Sequence, residues 1–173
     1  MAVPTVPANL ASGAVYPESF ADDVRDLLAF LRDDRPILRV SAPNASLSSG
    51  ATHDLDLSDA ATYNVGGWTD TSTTYDGWNV PETGMYCVTV LATFAANATG
   101  YRAVTMSDEG ASAVHIRSIA ATAGTGSGTR MTATGLHYFT AGDEVGVEVI
   151  QNSGIALDIS GWLMAHWVGS SSS

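Results

Sequence analysis

Residues 85–94 of this 173-residue chain read MYCVTVLATF, and this run decides the fold class. Apolar or aromatic residues stand at every second position from Tyr86 to Phe94, which is the period of a β-strand. The alternate set, which includes Met85 and Leu91, contains no charged residue either. We therefore predict a strand that is covered on both faces, as happens when a sheet also packs against another copy of the chain.

The same two-residue period recurs through residues 37–169. Alternation is clear at residues 145–150 and 155–160, and residues 162–168 (WLMAHWV) form a second uncharged apolar run. Turn signals separate these segments, at residues 82–84 (ETG), 141–143 (AGD) and 152–154 (NSG). Regular short strands with such turns and no intervening helix indicate an antiparallel sandwich or barrel.

Three motifs follow one another within this β-rich zone. They are YDGW with VPETGMY at residues 75–78 and 80–86, ATGLHYFTAGDEV at residues 133–145, and ISGWL at residues 159–163. In this order and spacing they resemble the jelly-roll domain of the tumour-necrosis-factor and complement globular-head superfamily. The resemblance implies an all-β antiparallel jelly-roll sandwich over residues 37–169 that assembles as a homotrimer.

A trimer of this kind buries one sheet of each protomer near a three-fold axis. Strands in that position are expected to be apolar or small on both sides, as the two uncharged runs are. The predicted trimer seam comprises Tyr86, Val88, Val90, Trp162, Met164 and Trp167.

The chain before the β-rich zone has a different composition. Residues 1–15 contain Pro4 and Pro7 among small residues and predict an extended arm. Residues 16–36 predict an α-helix, with Pro17 in its first turn and Pro36 as its end. Its apolar stripe consists of Phe20, Val24, Leu27, Leu28 and Leu31. Residues 170–173 predict a disordered tail.

The predicted helix is too short to hold an isolated bundle together, so its stripe needs the domain behind it, copies of itself or a larger assembly. An arm and a helix before a jelly roll also resemble small fibre or minor tail proteins of bacteriophages. The resemblance implies that the N-terminal region anchors the chain to other virion proteins.

Charge and composition exclude several classes of function. The chain has seven Arg, no Lys and 18 acidic residues, giving a net charge of -11 that disfavours nucleic acid as a partner. No apolar run approaches the roughly 20 residues of a membrane-spanning helix, so membrane insertion is not expected. The first residues lack the basic start and apolar stretch of a signal peptide. The resemblance to virion proteins implies synthesis in the host cytoplasm.

The sequence shows no constellation that predicts catalysis or a cofactor. Cys87 lies mid-strand and is interpreted as a structural thiol, and the four histidines are dispersed. No Gly-x-Ser-x-Gly elbow or paired acids stand out, so we predict no enzyme, no cofactor and no metal ligands within one chain. A metal on the three-fold axis, where one residue appears three times, stays open.

Four aromatic residues near turn-rich segments are candidate receptor contacts. Their rings could stack on sugar faces, although packing in the core or the seam is the favoured interpretation. These candidates are Trp68, Tyr75, Trp78 and Tyr101.

The sequence thus predicts a non-enzymatic virion protein, a trimeric fibre or knob of the minor-tail-protein type on the tail or capsid exterior. Its N-terminal arm and helix anchor it, and its jelly roll projects towards a host-surface glycan or protein. The alternative is a capsid decoration or head-fibre protein that stabilises the particle without binding a receptor. The sequence does not decide between tail and capsid attachment.

Overall fold

A computed structural model of the chain describes residues 18–29, 35–57, 61–71, 77–108, 113–121 and 128–170. The chain divides into two compact units, Met1–Arg35 and Pro36–Ser173. Some predictions lie outside the described residues. They are the arm at residues 1–15, the tail at residues 171–173, Leu31, Tyr75 and the side chain of Phe20.

The first unit contains one helix, α1, which spans Glu18–Ala29. Arg25 donates a hydrogen bond from Nη1 to Asp22 Oδ1 at 2.7 Å, one turn earlier on the exposed side of the helix. Val24 and Leu27 from the predicted apolar stripe are half-buried, whereas Leu28 is exposed. Part of the stripe is therefore left in contact with water.

The second unit is built from eleven strands. In chain order they are β1 (Ile37–Leu47), β2 (Thr52–Asp54), β3 (Tyr63–Val65), β4 (Thr69–Asp70), β5 (Trp78–Asn79), β6 (Gly84–Phe94), β7 (Tyr101–Asp108), β8 (Ala113–Ala121), β9 (Thr129–Phe139), β10 (Glu144–Gln151) and β11 (Leu157–Gly169).

These strands form two sheets with antiparallel pairing. Sheet A has the order β3-β1-β11-β6-β9, and sheet B has the order β4-β5-β10-β7-β8 with β2 also paired to β10. Neighbours in each sheet are mostly distant in sequence, because the chain repeatedly crosses from one sheet to the other. The predicted all-β antiparallel jelly roll is confirmed.

The core lies between the two sheets and follows from the period of the strands. In β6, every second side chain from Tyr86 to Phe94 is buried against sheet B, and β10 contributes Val145, Val147 and Val149 from the other side. The ring of Tyr86 meets those of Trp68 and Phe139 edge to face at 5.6 and 5.8 Å. Each such pair contributes about 0.5–1.5 kcal/mol beyond burial of its area.

Strand pairing defines two ends of the sandwich. Ile37 pairs with His166 at one end of β1 and β11, and Leu47 pairs with Leu157 at the other. We call the first end the base, because the chain enters β1 there and leaves β11 there. We call the opposite end the tip, defined as the described loop residues 48–51, 95–101 and 152–156.

Candidate interaction surface

The face of sheet A that points away from sheet B, the outer face of sheet A, carries a group of apolar side chains outside the core. Strand register brings Leu136, Cys87, His166 and Ile37 side by side across β9, β6, β11 and β1. Leu136 is 65% exposed, and the other three are half-buried although no second layer of described residues covers them. This row is a largely apolar stripe that crosses the sheet near the base.

Two further rows continue the outer face towards the tip. One contains Thr134 and Thr89, whose hydroxyls are hydrogen-bonded at 3.1 Å, followed by Met164 and Arg39. The guanidinium of Arg39 lies 5.8 Å from the centre of the Trp162 ring in the next row, where cation–π attraction holds it over the sheet. The outer face thus combines apolar side chains with threonines and with the exposed charges of Arg39, Arg130 and Asp158. A continuous apolar stripe on a sheet face is typical of an interface.

The predicted seam residues divide between the two faces of sheet A. Trp162 and Met164 lie on the outer face and stay candidates for the seam. The assignment of Tyr86, Val88, Val90 and Trp167 is corrected, because these side chains are buried in the core. Successive side chains of a strand point to opposite faces, so the alternate set on β6 faces outward instead.

Sequence reasoning missed the contribution of β9 to this face. Leu136 and Tyr138 are both exposed there, and Met85 pairs with Tyr138 across the strands. Leu136 and Tyr138 alternate with Gly135 and His137, and this two-residue period could have predicted that both side chains lie on the same face of β9.

The aromatic receptor candidates are also separated by the structure. Trp68 and Trp78 are buried, and Trp78 Nε1 donates a hydrogen bond to the carbonyl of Leu57 at 3.0 Å. The assignment of these two as ligand contacts is therefore corrected, since neither ring offers a face to a ligand. Tyr101 is 38% exposed and lies at the tip.

A buried phenol fixes the turn that precedes β6. Tyr86 donates its hydroxyl proton to the carbonyl of Glu82 at 2.7 Å. Burial raises the pKa of Tyr86 well above its ordinary value, because a phenolate in the core would lose its hydration. Tyr86 therefore stays protonated and acts as a structural donor.

The described part of the chain contains no group of three or more His, Cys, Asp and Glu residues that could hold a metal ion. Within the same residues, no helix has the length and apolar character needed to cross a membrane. Cys87 carries a free thiol on the outer face of sheet A, where Leu136 and His166 are its cross-strand neighbours. What this surface offers is apolar contact area.

No protein-family model matches this sequence, and no curated protein matches it. Solved structures do match. The PRD1 vertex protein P5 aligns with a TM-score of 0.58 and 20% identity over 78% of this chain and 97% of its own. The Eiger TNF of S. frugiperda aligns with a TM-score of 0.57 and 12% identity, over 81% of this chain and 96% of its own.

The globular domain of zebrafish complement 1qA protein is a third match, with a TM-score of 0.54 and 10% identity over 79% of this chain and 99% of that domain. At these identities the likeness concerns the fold. The second unit has the jelly roll of tumour-necrosis-factor and complement-head domains, a fold that a phage vertex protein also uses.

Proposed function

We propose that this chain is a non-enzymatic bacteriophage virion protein, a homotrimeric fibre or knob of the minor-tail-protein type that binds the host surface. The observation that carries the proposal is the outer face of sheet A, where apolar side chains of β1, β6, β9 and β11 lie side by side and no described residue of the same chain covers them. In a protein with a net charge of -11, such a face needs an explanation. Packing against identical copies provides one.

The energetics favour association through this face. Burial of a large apolar side chain contributes about 1.5–3 kcal/mol, and Leu136 still has most of that contribution to gain. Trp162 and Met164 add further apolar surface beside it. A cyclic trimer repeats each contact three times, so modest gains per side chain add up to stable association.

A place on a virion is supported by the fold shared with the PRD1 vertex protein P5. It is also supported by the N-terminal unit, whose helix α1 leaves Leu28 exposed on its apolar stripe. In this proposal the arm and the stripe dock on other virion proteins. Three copies of the knob then project together, so weak contacts with a host surface reinforce one another through high effective concentration.

The alternative is a capsid decoration or head-fibre protein that strengthens the particle and binds no receptor. The observation in its favour is the shared fold with a phage vertex protein, since vertices belong to the capsid. In that case the jelly roll would act through its contacts with the shell.

Deleting the gene from the phage separates the two candidates. We expect intact particles that adsorb poorly to host cells if the protein is an adhesin. Particles that lose heat stability but adsorb normally would favour the decoration role. Antibody labelling of wild-type particles in electron micrographs locates the protein, and absence from the particles would contradict both candidates.

The anchoring role of α1 is tested by Leu27→Asp, which introduces a charge into the apolar stripe. We expect the variant to remain folded and to be lost from particles, because an unpaired charge opposes burial of the stripe. Asp22→Asn, on the exposed side of the same helix, is the control and should be incorporated normally. Normal incorporation of Leu27→Asp would contradict the anchor.

A further inference from the structure

The tip differs from the rest of the molecule in its lack of charge. Its residues, 48–51, 95–101 and 152–156, include no Asp, Glu, Lys, Arg or His, although the whole chain carries 18 acidic residues. They are mostly Ala, Ser, Thr, Asn and Gly. The tip is also the end opposite the base, where β1 begins.

Hydrogen bonds join the three tip loops into one surface. Asn152 accepts a hydrogen bond at Oδ1 from the N–H of Tyr101 at 2.5 Å, and its own N–H donates to the carbonyl of Tyr101. The N–H of Gly154 donates to Ser49 Oγ at 2.9 Å. Gly100 has a φ of +77°, and a Cβ there would collide with Asn152, so glycine permits this close approach.

A fully buried arginine supports one of these loops from below. Arg102 Nη1 donates to the carbonyls of Thr99 and Tyr101 at 3.1 and 2.9 Å, and Nη2 donates to the carbonyl of Asn97 at 3.3 Å. Burial lowers the pKa of Arg102, since its charge has lost water. Its hydrogen bonds to backbone carbonyls hold the loop 95–101 in place.

A fully buried glutamine does the same for the other two loops. Gln151 Nε2 donates to the carbonyls of Leu47 and Ile155 at 3.0 and 2.8 Å. Its Oε1 accepts hydrogen bonds from the N–H and the hydroxyl of Ser153. Arg102 and Gln151 thus hold the tip loops in a fixed conformation. A preorganised surface loses less conformational entropy when it binds a ligand.

Above this support the tip exposes two large side chains, Tyr101 at 38% and Ile155 at 58%. Exposed Ser48, Thr99 and Asn152 add hydroxyl and amide groups around them. We propose that the tip is the ligand-contact surface of the knob and that its ligand is an uncharged, hydroxyl-rich polysaccharide. This inference rests on the adhesion role proposed above and specifies its site and ligand.

The chemistry of the tip favours this ligand over others. An anionic polymer would meet repulsion from the net charge of -11 and find no exposed cation among the tip residues. A protein partner commonly needs about 800 Å² per side with large buried anchors, more than two exposed apolar side chains supply. Sugar rings instead offer apolar faces for Tyr101 and hydroxyls for the surrounding amides and hydroxyls.

The test uses the purified full-length protein and cells of the bacterium that the phage infects. We expect labelled wild-type protein to bind these cells, and Ile155→Asp and Tyr101→Ala to weaken that binding at least about tenfold. Tyr101→Phe keeps the ring and should bind normally. The matched control is Ile119→Asp, because Ile119 is 60% exposed on β8 of sheet B, outside the tip loops.

The chemical class of the ligand is tested on the same cells. Envelope polysaccharide is separated by anion exchange, and the neutral fraction should compete for binding while the anionic fraction should not. Periodate, which cleaves sugar diols, should abolish binding, whereas protease treatment of the cells should leave it intact. Competition by the anionic fraction alone, or loss of binding only after protease treatment, would contradict the proposal that the ligand is an uncharged polysaccharide.

The outcomes separate this inference from the proposed function. If the protein is found on particles and binds cells, but the Ile155→Asp variant binds equally well, the tip is not the ligand-contact surface and the adhesion role is still supported. A wild-type protein on particles that does not bind cells refutes both adhesion and the tip. Absence from particles refutes the virion role, whatever the protein binds in solution.

Discussion

The outer face of sheet A carries one acidic side chain, Asp158, and the tip carries none, but the two surfaces are built differently. The outer face is a stiff surface of apolar side chains such as Leu136 and Trp162, and its shape is fixed by the strand ladders. The tip is made mostly of small, uncharged residues on loops, and its shape is fixed from within by Arg102 and Gln151.

This difference suggests two kinds of contact. Exposing an apolar face to water is thermodynamically unfavourable, so such a face suits a permanent interface between copies. A polar, preformed surface is stable in water and suits reversible binding. Variants can test the contrast by disturbing one region while leaving the other unchanged.

The largest effect is expected from Leu136→Asp, which places a carboxylate on the outer face of sheet A. Because all three copies would carry the unpaired charge, we expect association to weaken by several kcal/mol and the protein to become monomeric at micromolar concentration. Sedimentation velocity measures the mass. Ile119→Asp, equally exposed on sheet B, should stay trimeric, and a trimeric Leu136→Asp variant would contradict the interface.

The next largest effect is expected from Arg102→Ala, which removes the support of the loop 95–101. Three backbone carbonyls lose their donor, and we expect a loss of about 3 kcal/mol in the free energy of unfolding, measured in urea. The trimer should persist below the transition. Arg117→Ala, an exposed arginine on β8, should change stability by less than about 0.5 kcal/mol. Equal effects of the two variants would show that Arg102 is not a structural support.

The smallest effect is expected from Tyr86→Phe, which removes one hydroxyl from the core side of sheet A. Loss of the hydrogen bond to Glu82 should cost about 1 kcal/mol of unfolding free energy. Because this side chain is buried in its own chain, we expect the mass to remain that of a trimer. A change in oligomeric state would restore Tyr86 to the seam.

The sequence by itself determined the fold class, because alternation in β6, β10 and β11 and the turn signals between them need no tertiary information. It also determined that both sides of β6 are apolar. Which side faces the core was decided only by tertiary structure, since a period of two is satisfied equally by Tyr86 or by Met85 pointing inward. The predicted seam residues of β6 therefore lie on the core side, whereas Trp162 and Met164 of β11 lie on the outer face.

Local sequence patterns could not predict the tip for a related reason. Its residues come from three loops that are distant in sequence. No sequence pattern near Arg102 or Gln151 predicts that their side chains donate hydrogen bonds to the carbonyls of those loops. Trp68 and Trp78 were ambiguous because they flank turns, and only packing against the core decided their burial. Periodic strands can be read from the chain, whereas surfaces assembled from separate loops exist only once the chain has folded.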